Sequence, residues 1–186
     1  MKKSSVFFLI LLLSPFIGGL YGVLHDQITF TISPEYYTKF KFYQFGFVTA
    51  GDEWVPDHIR LYVSLVGFLA TWWVGLIIGV VLALTGLFQE NAKRMFRITL
   101  RAIVLTLLIA IVAGILGYLY SISAHDAETI ASWLPANIDD KQAFYSVGSI
   151  HNFSYLGGLI GLVIAGVWSF WKSRFKDNQQ SIAPKN

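Results

Sequence analysis

Four histidines and the polar residues around them are the part of this sequence that could do chemistry. His25, His58, His125 and His151 each stand at the edge of a long apolar run, with Asp26, Asp57 and Asp126 beside three of them and Asn152 beside the fourth. Tyr21, Tyr62 and Tyr155 lie four residues from His25, His58 and His151, and Tyr118 lies seven from His125. Steps of four and seven keep two side chains on one helical stripe, so each tyrosine could orient its histidine as a supporting hydrogen-bond donor. Imidazole and carboxylate are ligands that zinc, copper or iron accept, and imidazole also exchanges a proton near neutral pH.

The candidate site is therefore a metal or proton site built from His25, His58, His125, His151, Asp26, Asp57 and Asp126. Tyr21, Tyr62, Tyr118 and Tyr155 stand behind these residues, and at least three of the imidazoles are expected to converge. A haem between two histidines is a weaker candidate, because porphyrin ligands usually sit deeper in a bundle. The competing reading is a solvated belt, since histidine and tyrosine both favour membrane interfaces. The chain has no cysteine, which excludes thiolate nucleophiles, Cys-ligated zinc and iron–sulfur clusters. It carries no HExxH, EF-hand loop or Glu-x-x-His pair, and no phosphate loop, dinucleotide fingerprint or Gly-x-Ser-x-Gly elbow. No reaction is named by a motif, so the chemistry depends on where the fold places these groups.

The elements that must do the placing are membrane spans. Leu61 to Phe88 contains no charged side chain, and a hydrocarbon core of about 30 Å is crossed by roughly 20 apolar helical residues. Three further runs complete an all-α, four-transmembrane-helix bundle with spans at about 6–24, 61–88, 98–122 and 148–171. Residues 1–177 form one membrane domain, with outer connections at 25–60 and 123–147, and 178–186 read as a disordered tail. The first run is longer than a signal-peptide core and is read as a retained span. A composition 55% hydrophobic and 13% charged, with mean hydropathy +0.57, agrees. The net charge of +3 does not point to nucleic acid, because the basic residues are spread along the chain and not gathered in one patch.

Their distribution sets an orientation. Lys2, Lys3, Lys93, Arg94, Arg97, Arg101, Lys172, Arg174, Lys176 and Lys185 flank one side of the spans, against Lys39, Lys41, Arg60 and Lys141 on the other. The positive-inside rule then puts both termini in the cytoplasm of a cell-membrane protein and the histidines at the outer face. In the 25–60 connection, Ile28, Phe30 and Ile32 alternate with Thr29, Thr31 and Ser33, which predicts a small extracytoplasmic β-hairpin. The same segment is rich in aromatic residues and suits a headgroup region or the surface of a membrane partner. Small residues four apart, as in Gly75-xxx-Gly79, Ala110-xxx-Gly114, Ala113-xxx-Gly117 and Gly157-xxx-Gly161-xxx-Ala165, predict close helix seams, within one chain or in a homo-oligomer. Two functions of different kind follow: a membrane-embedded metalloprotein acting at the outer face, and a non-catalytic membrane subunit docking through its aromatic loop.

Overall fold

A computed structural model describes residues 2–49, 52–124 and 127–174. Four long helices dominate it: α1 (Lys3–Ile32), α3 (Ile59–Gly86), α4 (Ala92–Ser123) and α6 (Lys141–Arg174), each long and apolar enough to cross a membrane. Between them lie a π-helical turn (Tyr36–Lys41), the short α2 (Phe42–Gln44) and the surface helix α5 (Ala127–Trp133), which ends before Pro135. The 178–186 tail falls outside the described residues.

The helices are ordered inside out relative to a water-soluble bundle. On α1, Phe8, Leu12, Phe16, Leu20 and Leu24 form an exposed stripe, while Ser14, Gly18, Gly22 and Asp26 form a buried one offset by half a turn. Large apolar groups outside and small or polar groups inside suit hydrocarbon as the solvent. The buried stripe sets the packing. Gly18 meets Gly75 and the carbonyl of Thr71 so closely that an added Cβ would lie 2.7 Å from the Gly75 Cα, and Gly22 abuts Gly67. The Thr71 hydroxyl, already bonded within its own helix, also donates across this seam to the Gly18 carbonyl at 2.8 Å.

A second seam joins α4 to α6, where Gly157 rests on Ala110 and Ala113, Gly161 on Thr106, and Gly114 on Ser154. The predicted small-residue motifs thus serve packing within the chain. The result is two tightly seamed antiparallel hairpins, α1 with α3 and α4 with α6, that touch each other more sparsely. Lys3 donates to the Leu87 carbonyl and Arg94 to that of Lys172, so the start of α1, the α3–α4 turn and the end of α6 share the basic end of the bundle. Gln89 is fully buried in that turn and donates to the Ser169 carbonyl at 2.8 Å.

The expected β-hairpin is absent: no strand occurs among the described residues. The 28–33 stretch continues α1 to Ile32. Residues two apart on a helix point about 200° apart, and accordingly Ile28 is 64% exposed while Phe30 is buried. The two threonine hydroxyls find partners, whereas Ser33 Oγ is buried without one. Thr29 donates to the His25 carbonyl at 3.1 Å and lies 2.6 Å from the Tyr37 hydroxyl, and Thr31 bonds the Ile28 carbonyl. Pro34, which disfavours helix in the residue before it, ends α1 at Ser33.

Beyond Pro34 the chain turns back over the bundle. Tyr36, Tyr37 and Phe42 bury against Phe30, Val63, Val66 and Val147, and Phe42, Phe47, Trp54 and Tyr62 pack edge to face. Glu35 fastens this cover to α6: it accepts from Lys39 and from the backbone N–H groups of Asp139 and Asp140, at 3.1 and 2.9 Å. Asp140 in turn accepts from Ala143 N–H at 2.9 Å, an N-cap that starts α6 well before the predicted 148.

Candidate functional site

The buried stripe of α1 ends in Asp26, and beside it α6 brings in His151. Asp26 Oδ1 lies 3.2 Å from His25 Nδ1 and 3.3 Å from His151 Nε2. The imidazoles meet edge to face with centroids 4.8 Å apart. Asp26 and His151 are both buried, at 3% and 4% exposure, and His25 is half-buried. One potential ligand atom from each residue falls within 4.8 Å of the others.

Each imidazole has its second nitrogen engaged as well. His151 Nδ1 lies 2.9 Å from the Val147 carbonyl, and His25 Nε2 lies 3.3 Å from Ser154 Oγ. A carbonyl only accepts, so His151 carries its proton on Nδ1. A neutral His151 therefore turns its Nε2 lone pair toward a carboxylate oxygen. Two acceptors at 3.3 Å repel unless a proton or a cation lies between them. The cluster thus needs one extra positive charge, as an imidazolium, a protonated carboxyl or a metal ion.

The surroundings are aromatic. Tyr36 stacks on His151 with centroids 5.2 Å apart and planes 26° apart, while Tyr21 packs 5.7 Å from His25 and Tyr155 6.5 Å from His151. Burial, with Tyr155 and Asp26 nearby, pushes the Tyr36 phenol well above its usual range, and burial does the same for Tyr37, so both remain protonated donors. Lys41 is buried above the site. Burial lowers its ammonium pKa against the opposing pull of Asp26.

A cavity of about 200 Å³ runs from this cluster down between the two hairpins. Asp26, His25, His151, Ser154, Tyr21 and Tyr155 line one end, and Ile78, Leu107 and Leu162 are among the apolar residues that line the rest. Asp26 Oδ2 is buried there without a hydrogen-bond partner, as is Ser14 Oγ farther along the same cavity.

No known protein family, curated protein or solved structure matches this chain. The site therefore has to be read from its own geometry.

Of the three described histidines, two converge. His58 and Asp57 are exposed at the start of α3 and contribute no atom to the cluster. Tyr62 turns to Trp54 and Phe47 instead of a histidine, and Tyr118 is 39% exposed. His125 and Asp126 lie outside the described residues. The edge-to-face contact of His25 and His151 leaves no room for a porphyrin between them. The residues that sequence reasoning missed are Ser154 and Tyr36. Ser154 was legible in principle, since it shares a face with Gly157, Gly161 and Ala165, the small-residue seam of α6. Tyr36 was not, because only the π-helical turn after Pro34 carries it onto His151.

Proposed function

We propose that this is an integral membrane protein that holds a transition-metal ion in a buried centre formed by His25, Asp26 and His151, near the extracytoplasmic end of its bundle. The observation that carries this reading is the pair of imidazoles that each direct one nitrogen at the same buried carboxylate oxygen and bond the other to a protein group. Metal-bound histidines characteristically have the distal nitrogen fixed in this way. The N···O separations of 3.2 and 3.3 Å match two edges of a tetrahedron with bonds of about 2.0 Å, which are about 3.3 Å each; the third edge, between imidazole nitrogens within 4.8 Å of each other, would shorten on binding. Three protein ligands leave a position open toward the cavity, as catalytic and ligand-binding metal sites require. The basic residues at the opposite end of the bundle support the outward placement of the centre.

The docking-subunit reading draws less support, because most of the aromatic loop is spent on the chain itself: Tyr36, Tyr37 and Phe42 are buried. The test is elemental analysis of protein purified from membranes without chelators, alongside Asp26→Asn and His151→Ala. About one zinc, copper or iron per chain, lost in both variants, is the expected result. Metal-free wild-type protein that also fails to take up added zinc, copper or iron would overturn the metal reading. A 15N imidazole spectrum showing His151 as an imidazolium would then identify a proton site in its place.

A further inference from the structure

We propose that the cavity between the two hairpins binds a single-chain lipid carrying a hydroxyl head group, with the hydroxyl at Asp26 and the chain running toward Ser14. The shape of the cavity carries the first half of this inference. Its lining extends along α1 from Asp26 to Ser14 and along α6 from His151 to Leu162, about 18 and 17 Å at 1.5 Å per residue. A volume of about 200 Å³ spread over that length is a slot. A compact apolar cavity of about 150 Å³ already accepts a benzene ring, so this one is roomy enough for a ligand.

The head group follows from the polar atoms left over. Asp26 spends Oδ1 on the two imidazoles, while Oδ2, which only accepts when ionised, is buried without a donor. Tyr21, one and a half turns along the slot, has a buried hydroxyl that faces Ser154. A ligand hydroxyl can donate to Asp26 Oδ2. An ionised carboxylate head has no proton to donate to Oδ2, and a quaternary ammonium has no N–H to give.

The route of entry is sideways. Tyr155, Leu159 and Ile77 line the slot yet are 47%, 61% and 51% exposed on the apolar outer surface, so the slot communicates with the face that contacts lipid. Gly158 sits on its wall, and a Cβ there would meet no atom within 4 Å. That position can be enlarged without touching the glycine seams. The proposal does not require the metal ion, because it uses the carboxylate oxygen that the imidazoles leave free.

The experiment uses the full chain in phosphatidylcholine nanodiscs and a hexadecanol probe bearing a diazirine and an alkyne. Labelling is mapped by mass spectrometry and competed with plain hexadecanol or with palmitate. The expected label falls on slot residues such as Ile78, Leu107 and Leu162, and hexadecanol displaces it at a concentration at least tenfold below palmitate. Gly158→Leu should cut labelling at least tenfold with metal content and melting temperature unchanged, whereas Gly158→Ala should leave it intact. Asp26→Asn should erase the preference for the alcohol. Label spread along the exposed Phe8, Leu12 and Leu20 stripe, or equal labelling in folded Gly158→Leu, would overturn the slot. Equal displacement by palmitate would overturn the hydroxyl assignment. Slot labelling of wild-type protein that carries no metal and takes none up would count against the metal centre alone.

Discussion

Replacing Asp26 by asparagine removes the one charge on which both imidazoles converge. The side chain is 3% exposed and its Oδ1 has imidazole nitrogens at 3.2 and 3.3 Å. Hydrogen bonds to a charged group contribute about 1.5–3 kcal/mol each. Breaking a buried pair by removing one partner costs about 3–5 kcal/mol, because the other partner is stranded. For a chain of this size about 1 kcal/mol corresponds to roughly 2–4 °C, so Asp26→Asn should lower the unfolding midpoint by roughly 6–20 °C. A chelator supplies a second arm. If a metal is held at 100 times its Kd it contributes about 2.7 kcal/mol, and stripping it should lower the wild-type midpoint by roughly 5–11 °C. Asp26→Asn should not respond to the chelator. The assay is thermal unfolding in detergent or nanodiscs, read by tryptophan emission with and without chelator. A variant that melts with the wild type in both conditions would refute the argument that Asp26 organises the site.

The glycines make a paired prediction. Gly22→Ala places a methyl against the Gly67 carbonyl and should cost about 1–3 kcal/mol through forced separation of α1 and α3; Gly158→Ala should be within about 0.5 kcal/mol of wild type, and denaturation of the two side by side checks both. At Glu35, burial alone would raise the carboxyl pKa, but hydrogen bonds from Lys39 and from the backbone of Asp140 and Asp139 outweigh it and hold the group at about 2, against 4.5 ordinarily. Its contribution is therefore complete above about pH 4.5 and is lost as the pH falls toward 2. Hydrogen exchange at the Asp139 and Asp140 amides should accelerate over that window beyond the intrinsic rate, with no such step in Glu35→Gln. Reporter fusions after Gln179 and within the 127–140 connection should report opposite compartments; the same compartment for both would remove the four-crossing topology.

The spans were legible because hydropathy is a sum over many residues and no local detail upsets it. The loop was not. Ile28, Thr29 and Phe30 alternate like a strand, yet a threonine that can bond the carbonyl four residues back is equally at home in a helix, and here the helix simply had not ended. For the site, the same histidine–tyrosine spacing occurs at His58 and His151, and spacing says nothing about which way a stripe faces. The fold decides by the company each stripe keeps. His151 shares its helix face with the small residues of the α6 seam, whereas Tyr62 is claimed by Trp54 from the loop. Asp26 carried the clearest signal, as the fourth member of Ser14-xxx-Gly18-xxx-Gly22-xxx-Asp26, whose three small residues commit the carboxylate to the interior.

Close glycine seams within each hairpin and sparse contact between the hairpins imply an order of construction. Each hairpin can form as soon as its own two spans have entered the bilayer, since its seam needs nothing from the other half. His25 and Asp26 then arrive on one prefabricated unit and His151 on the other. The cluster comes into being only when the units dock, and the proposed metal ion, if bound, would act as a rivet between them. Cutting the chain in the α3–α4 turn and producing residues 1–90 and 91–186 as separate polypeptides would therefore leave two insertable halves, whose reunion could be followed by the charge they trap.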